Sequence, residues 1–248
     1  MSPFSIIILA AGKGTRMNNP ETPKVLAELN GKPLIYYVLD TSLSLSPQNI
    51  YLIIGYKKEL VRDYVAQNYK NALDKIIFVE QNKQLGTGHA VKQVEPVLHK
   101  HTDVLILAGD VPAIKASTLA QFIAEHRNQQ ADLSVLSAIA SNPAGYGRII
   151  RRNGNFLRIR EEKDASQDEK LINEINSGIY FLNTEFLFPA LDKIKQNNAQ
   201  REYYLTDIIE ILKNEGKKVV ATQVANFNEI QGVNTHQQLQ ELSQLMQA

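Results

Sequence analysis

The sequence predicts an α/β fold, a Rossmann-like and mostly parallel (mixed) sheet with helices on both faces. Short apolar runs typical of buried strands alternate with segments of helical period, and the first such run leads directly into a glycine-rich loop. This alternation is typical of β-α-β units with right-handed crossovers. The second half of the chain carries a hairpin pattern, so we also expect a small β-hairpin insertion.

The elements follow one another in a regular order. Strands are predicted at 4–10, 50–54, 75–79, 103–108, 132–140, 148–152, 156–160, 172–182 and 218–224. Helices are predicted at 33–45, 60–65, 117–127, 185–195, 204–212 and 235–247. Asn153-Gly154 is the pattern of a two-residue hairpin turn. The charged, aperiodic segment 161–170 predicts a mobile loop.

No linker or repeat divides the chain, so we expect one domain over 1–248. Within it we expect a first part over 1–130, a second over 131–234 and a C-terminal helix over 235–248. A left-handed β-helix is not expected, because no hexapeptide repeat is present.

Composition excludes several classes of function. The chain has 27 Lys+Arg against 26 Asp+Glu, which lacks the basic excess of a nucleic-acid binder. It has no cysteine, which excludes disulfides, thiolate metal sites and a cysteine nucleophile. The apolar run 4–11 is too short for a membrane span and lacks the charged start of a signal peptide. A cytoplasmic location without membrane contact is therefore expected.

The loop after the first strand, Gly12-Lys13-Gly14-Thr15-Arg16, predicts a site for the phosphates of a nucleoside triphosphate. Its glycines let backbone N–H groups approach phosphate oxygens, and its cations add charged donors. The spacing is neither that of a P-loop nor G-x-G-x-x-G. A simple tight turn is the alternative, although ligands commonly bind beyond the carboxyl ends of such strands.

Further motifs follow in a fixed order along the chain. They are L-A-A-G-K-G-T-R-M (9–17), P-K-V-L (23–26), Gln81, Q-L-G-T-G-H-A (84–90), G-D-V-P (109–112), G-Y-G-R-I (145–149), E-I-N-S-G (174–178), Y-Y-L-T-D-I-I (203–209) and G-V-N (232–234). Together they resemble the sugar-1-phosphate nucleotidyltransferase superfamily. Within it, the match is to the uridylyltransferase half of the bifunctional N-acetylglucosamine-1-phosphate uridylyltransferases/glucosamine-1-phosphate acetyltransferases.

The resemblance implies a nucleotidyltransferase (glycosyltransferase-A-like) fold, in which 1–130 is the nucleotide-binding part and 131–234 is mainly the sugar-binding part, with the β-hairpin as a sugar-binding insertion. It also implies transfer of UMP from UTP to N-acetylglucosamine 1-phosphate. The products are UDP-N-acetylglucosamine and pyrophosphate, with Mg²⁺ as cofactor. Arg16, Lys24 and Asp110 are the implied catalytic residues. The implied nucleotide-binding residues are Leu9, Ala10, Ala11, Gly12, Lys13, Gly14, Gln81, Gly86, Thr87, Ala108, Gly109 and Asp110. Asp110 and Asn234 would bind the metal, and Gly147, Glu161, Asn176 and Asn234 the sugar.

Several interpretations stay open beside these. Thr87 could be an N-cap, Glu162 could replace its neighbour Glu161, and Thr206 and Asp207 could cap a helix. His89 is expected to pack. Ala108 stands where the resembling enzymes usually carry tyrosine, which affects sugar affinity or selectivity. Another pair such as glucose 1-phosphate with UTP or dTTP, or a catalytically silent binder, are the alternatives. No role for acetyl-CoA is expected, and the oligomeric state is left open.

Overall fold

The structure is a computed structural model that describes residues 3–14, 17, 21–98 and 101–247. Its strands are Phe4–Ala10 (β1), Glu28–Leu29 (β2), Lys32–Pro33 (β3), Ile50–Ile54 (β4), Ile76–Glu80 (β5), Asp103–Ala108 (β6), Leu133–Ile139 (β7), Arg148–Arg152 (β8), Asn155–Arg160 (β9), Glu174–Asn183 (β10) and Val219–Gln223 (β11). Its α-helices are Leu34–Ser44 (α1), Lys58–Asn68 (α2), Thr87–Lys92 (α3), Ala116–Gln129 (α4), Gln167–Lys170 (α5), Thr184–Leu191 (α6), Asp207–Asn214 (α7) and His236–Gln247 (α8).

In the described part of the chain the main sheet has nine strands. Seven follow the order β11-β7-β10-β6-β1-β4-β5, and β8 and β9 extend the sheet from β10. All pairs in this order are parallel except the two made by β10, which runs antiparallel to β6 and to β7. The predicted mixed, mostly parallel sheet is confirmed. Because six strands point the same way, their carboxyl ends meet at one edge, where ligands of such sheets bind.

Helices cover both faces of the sheet, so side chains on both sides of β1 are buried. Ile6 and Ile8 pack with α1, α2 and α4 on one face, and Ile7 packs with α3, α6 and α7 on the other. Successive side chains of a strand point to opposite faces, so a strand buried on both sides is apolar throughout. This explains the uninterrupted apolar run from which β1 was predicted.

The β8–β9 hairpin joins the sheet through Arg148, which pairs with Ile175 of β10. Its turn residues Asn153 and Gly154 have φ of 51° and 78°, as a type I′ turn requires. The predicted hairpin is confirmed. Its strand β9 also contacts α7 and β11, so the hairpin is packed against the second half of the fold.

Strand β10 carries a bulge between Asn176 and Tyr180. Side chains of the strand satisfy the freed backbone donors: Asn176 Oδ1 accepts from Gly178 N at 3.0 Å, and Ser177 Oγ accepts from Ile179 N at 3.1 Å. A bulge bends a strand and changes where its side chains point. Here the bulge places Asn176 beside the hairpin, and the backbone N–H of Asn176 donates to the Gly147 carbonyl at 2.8 Å.

Helix α8 returns to the N-terminal part of the chain. Leu242 packs in a small cluster with Met17, Leu29, Leu34 and Val233. The His236 Nε2 lies 2.7 Å from the Met17 carbonyl oxygen. These two contacts hold the C-terminal helix α8 against Met17, the residue that follows the glycine loop.

Three details of the sequence prediction are wrong. Segment 161–170 is not simply a loop, because 167–170 form α5, whose start is closed by a capping box between Ser166 and Glu169. The helix predicted at 204–212 begins at Asp207. The helix predicted at 185–195 ends at Leu191. Other boundaries move by one to three residues.

Candidate active site

The glycine loop leaves the carboxyl end of β1 at the ligand edge of the sheet. A Cβ added to Gly12 would meet nothing within 4 Å, so the space beside this residue is open. Gly14 has φ of 64°, and a Cβ there would collide with the Cβ of Lys24. Glycine at this position is what lets the loop lie against Lys24. Thr15 and the predicted catalytic Arg16 lie outside the described residues.

Lys24, Asp110 and Asn234 form one cluster beside this loop. The Lys24 ammonium donates to Asp110 Oδ2 and, at 3.0 Å, to Asn234 Oδ1. The side chains of Lys24 and Asp110 are each only 16% exposed. Residues that are 86 and 210 positions apart in the sequence are thus brought together. Asp110 and Asn234 thus contact one common cation, and their implied role as metal ligands stays a prediction.

The Asp110–Asn234 pair offers two oxygen donors of the kind that a divalent cation prefers. One carboxylate and one amide oxygen already face a common cation, the Lys24 ammonium. Mg²⁺ prefers oxygen ligands and keeps several waters or phosphate oxygens, so two protein ligands are sufficient. No group of three or more His, Cys, Asp or Glu suited to a metal occurs among the residues that the structure describes. The donors therefore fit a metal shared with a phosphorylated ligand.

The end of β6 lies between the glycine loop after β1 and the bulge of β10. Leu9 and Ala108 are paired across β1 and β6, and the next N–H, that of Gly109, donates to the Leu9 carbonyl at 2.9 Å. On its other side, Ala108 Cβ lies 3.9 Å from the position of a Cβ on Gly178, within the β10 bulge. Ala108 therefore lies between the two halves of the site.

The predicted base-binding residues meet after β5. Gln81 is 4% exposed, and its Nε2 donates to the Gly86 carbonyl at 3.0 Å. The helix α3 begins at Thr87, but its N-cap is Gly86 and no side chain caps it. The N-cap interpretation of Thr87 is wrong, because its hydroxyl instead accepts from Leu205 N at 3.0 Å. Thr87 thus connects segment 203–206 to the start of α3.

The predicted sugar-binding residues meet on the hairpin side. A Cβ on Gly147 would lie 3.6 Å from both Asn176 Cβ and Glu161 Oε1. The hydroxyl of Thr206 donates to Glu161 Oε1 at 3.0 Å, and burial raises the pKa of Glu161. Thr206 stands at the N-cap position of α7 without capping it, so that interpretation of its side chain is wrong. Asn234 lies beside Lys24, apart from these residues, and its sugar-binding role stays a prediction.

Two residues that support this side were not found from the sequence. Tyr180 accepts a hydrogen bond from Asn176 Nδ2 at 2.9 Å, and burial raises the pKa of Tyr180. Arg148, 1% exposed, binds Glu162 at 2.7 Å. This pair separates the two adjacent carboxylates, because Glu162 is held by Arg148 while Glu161 faces Gly147. A buried arginine within an apolar strand pattern was the available signal.

The sequence profile of the family described as "Nucleotidyl transferase" matches residues 5–244. The chain belongs to the nucleotidyl transferase family. The resemblance predicted from the motifs is confirmed at this level.

Relatives of this nucleotidyl transferase include the "Bifunctional protein GlmU" of Bacillus subtilis (strain 168), 45% identical over 97% of this chain and 51% of that protein. The protein of the same name from Enterococcus faecalis is 44% identical over 97% of this chain and 51% of its own length. The chain therefore spans about half the length of the curated relatives that it matches.

Solved structures share the fold. A UDP-glucose pyrophosphorylase complexed with UDP-glucose superposes with a TM-score of 0.79 at 20% identity, covering 99% of this chain and 98% of the other. A putative glucose-1-phosphate thymidylyltransferase from Bacillus anthracis gives 0.76 at 20% identity, covering 98% and 95%. At this identity the likeness shows the fold alone. Among the helices that the structure describes, none has the length and apolarity to span a bilayer.

Proposed function

We propose that this nucleotidyl transferase transfers UMP from UTP to N-acetyl-α-D-glucosamine 1-phosphate, giving UDP-N-acetylglucosamine and pyrophosphate. One observation carries the proposal. The Lys24–Asp110–Asn234 cluster lies beside the glycine loop, and the end of β6 connects it to the cluster of Gly147, Glu161 and Asn176. Such a layout offers one phosphate end and one hydroxyl-binding end. The motif resemblance to the bifunctional uridylyltransferases supports the choice of substrates.

The reaction needs alignment and charge neutralisation rather than a covalent intermediate. A phosphate oxygen of the sugar phosphate attacks the α-phosphorus of UTP, and the bond from that phosphorus to the pyrophosphate oxygen breaks. The attacking oxygen is largely ionised at neutral pH, since the second pKa of a phosphate monoester is about 6. No general base is required, so cations and oriented backbone donors lower the barrier.

Each cluster has a defined task in this scheme. Lys24 neutralises charge on the triphosphate, and the loop backbone around Gly12 binds its oxygens. Asp110 and Asn234 would hold Mg²⁺, which supplies further positive charge to the phosphates. Glu161 and Asn176 bind hydroxyl and amide groups of the sugar, because a carboxylate accepts and an amide both donates and accepts. We also propose a cytoplasmic location, because UTP is available there.

A substrate panel tests it. Pyrophosphate release is measured for UTP, CTP, dTTP and ATP, each paired with N-acetylglucosamine 1-phosphate or glucose 1-phosphate. The highest kcat/KM is expected for UTP with N-acetylglucosamine 1-phosphate, and chelation of divalent cations should abolish turnover until Mg²⁺ is restored. A higher value with glucose 1-phosphate would replace the proposal by the related sugar. Binding of UTP without turnover of any pair would support a silent binder instead.

A further inference from the structure

The amide of Gln81 has an orientation that its surroundings determine. Its Nε2 lies 3.0 Å from the Gly86 carbonyl oxygen. A carbonyl oxygen only accepts hydrogen bonds, so the amide atom facing it must be the nitrogen and not the oxygen. The side chain is 4% exposed and cannot turn freely. One of the two amide hydrogens is therefore assigned.

The second hydrogen points at His89, whose Nδ1 lies 3.0 Å from the same Gln81 Nε2. For this contact to be a hydrogen bond, Nδ1 must be unprotonated and accept. The other ring nitrogen lies 3.4 Å from the amide nitrogen of Gln93, which donates to the His89 carbonyl at 3.1 Å. With Nδ1 accepting, the single N–H of a neutral imidazole is on Nε2, so the Gln93 amide, which is also a donor, does not hydrogen-bond to the ring. An accepting Nδ1 favours the neutral ring, and burial, which lowers the pKa of His89, favours the neutral ring as well.

The position of the Gly86 carbonyl is itself built into the fold. Gly86 has φ of 111° and ψ of 173°, a conformation open only to glycine. A Cβ there would lie 2.6 Å from the Tyr203 carbonyl oxygen. The neighbouring Leu85 carbonyl accepts from Tyr203 N at 2.8 Å. The Gly86 carbonyl, which accepts the first amide hydrogen of Gln81, is therefore held in place by segment 203–206.

With both hydrogens used, only Oε1 of Gln81 is left for a ligand. In the described part of the chain, no hydrogen bond to this oxygen is formed. An oxygen that only accepts will pair with an N–H donor and will repel a ring nitrogen that carries a lone pair. Uracil and thymine have an N–H at ring position 3, whereas cytosine has a bare nitrogen there.

We propose that His89 is a positioning residue for base selection: it holds the Gln81 amide so that Oε1 faces the base, and the site takes a pyrimidine imide over cytosine. This inference rests on the proposed function, which assigns Gln81 to the base. It also has a limit that can be tested, because thymine presents the same N–H as uracil. Gln81 and His89 therefore discriminate UTP from CTP but not UTP from dTTP.

A matched pair of variants isolates the acceptor. In His89→Asn, the side-chain oxygen can take the place of Nδ1, whereas His89→Leu has nearly the same shape and no acceptor. Both lose the ring that stacks on Tyr203, so a purely structural effect of that loss appears in both. The measurement is the ratio of kcat/KM for UTP to that for CTP, which does not depend on the fraction of active enzyme. Circular dichroism checks that both variants fold.

We expect the ratio to fall about tenfold or more in His89→Leu and to stay within about threefold of wild type in His89→Asn. The ratio of UTP to dTTP should change in neither. Equal UTP-to-CTP ratios in the two variants would overturn the role of His89 while wild-type turnover of UTP leaves the proposed function standing. If wild type turns over no triphosphate, the proposed function fails first. Calorimetric titration of UTP and CTP into the same three proteins then tests His89 by binding alone, with the same expected and contrary ratios.

Discussion

Asp110 has a double task in the site that we describe. It contacts the Lys24 ammonium in the structure, and in the proposed function its carboxylate would bind a divalent cation together with the side-chain oxygen of Asn234. Its side chain is only 16% exposed, so charge changes there are weakly screened by water. Removing this single negative charge should therefore affect the phosphate end more than the fold.

Asp110→Asn is expected to lower kcat/KM by about 100-fold or more, the magnitude typical of removing one group that acts on transition-state charge. The measurement is pyrophosphate release with saturating Mg²⁺. Asp63→Asn, a change of the same type on the exposed side of α2, is the control and should retain wild-type rates. A rate for Asp110→Asn within threefold of that control would contradict the assignment.

Glu161 predicts a pH dependence on the sugar side. Because burial raises the pKa of Glu161, the carboxylate is protonated at a higher pH than an ordinary glutamate. The KM for the sugar phosphate should therefore rise as the pH is lowered, with a smaller change in the KM for UTP. Glu161→Gln should raise the sugar KM at neutral pH and remove this difference. The ratio of wild-type to variant KM cancels titration of the substrate phosphate, and a ratio constant from pH 5 to 8 would speak against the carboxylate.

At the scale of elements, the two glycines of the glycine loop, Gly12 and Gly14, have different surroundings. Gly14 has φ of 64° and lies against Lys24, whereas the space beside Gly12 is open. Gly14→Ala should lower the free energy of unfolding by about 1–3 kcal/mol, the usual range for a strained backbone position. Gly12→Ala should leave it unchanged and raise the KM for UTP, because the methyl enters the space that we assign to the phosphates.

Urea denaturation and steady-state kinetics on both variants measure these effects. The prediction is a crossed pattern, with loss of stability in one variant and loss of UTP affinity in the other. A stable Gly14→Ala protein, or a Gly12→Ala protein with wild-type KM for UTP, would show that the loop is arranged differently.

Elements near the phosphate end could be predicted from the sequence, and those near the sugar end only in part. The apolar runs of β1 and β6 predict parallel strands, whose carboxyl ends lie at the same edge of the sheet, so their loops were expected at the ligand edge. The bulge at Asn176 and the Arg148–Glu162 pair depend on which strands become neighbours. Local periodicity contains no information on such pairing. The pairing of Asp110 with Asn234 likewise came only from the motif resemblance, and the contact of Lys24 with Asn234, 210 positions away, was not predicted.

For the molecule as a whole, His126 makes stability depend on pH. It is 8% exposed between α4 and β7, where its Nδ1 lies 2.8 Å from Ser134 Oγ. Burial lowers the pKa of His126 below the ordinary value of 6.5, so the unfolded chain binds this proton more tightly than the folded chain. Its contribution is complete above about pH 6.5 and is lost as the pH falls below that value.

The test compares the free energy of unfolding of wild type and His126→Gln from pH 8 to pH 5. Asp207 acts in the opposite direction, because burial raises its pKa to about 6 and protonation below that pH relieves the cost of its buried charge. Asp207 is present in both proteins, so its contribution cancels when their free energies of unfolding are subtracted. We expect wild type to lose stability relative to the variant below about pH 6.5. Parallel curves would show that His126 does not titrate with unfolding.

The position of the reversed strand β10 has a consequence for synthesis on the ribosome. Strand β10 lies between β6 and β7 in the sheet, yet it is made after both of them. Until Asn183 has emerged, the nascent chain has no strand with which to pair one side of β6, whose residues Val104 to Leu107 are all apolar. An unpaired apolar strand edge readily joins another chain. The interval between translation of β6 and β10 is therefore when this protein most needs protection from aggregation.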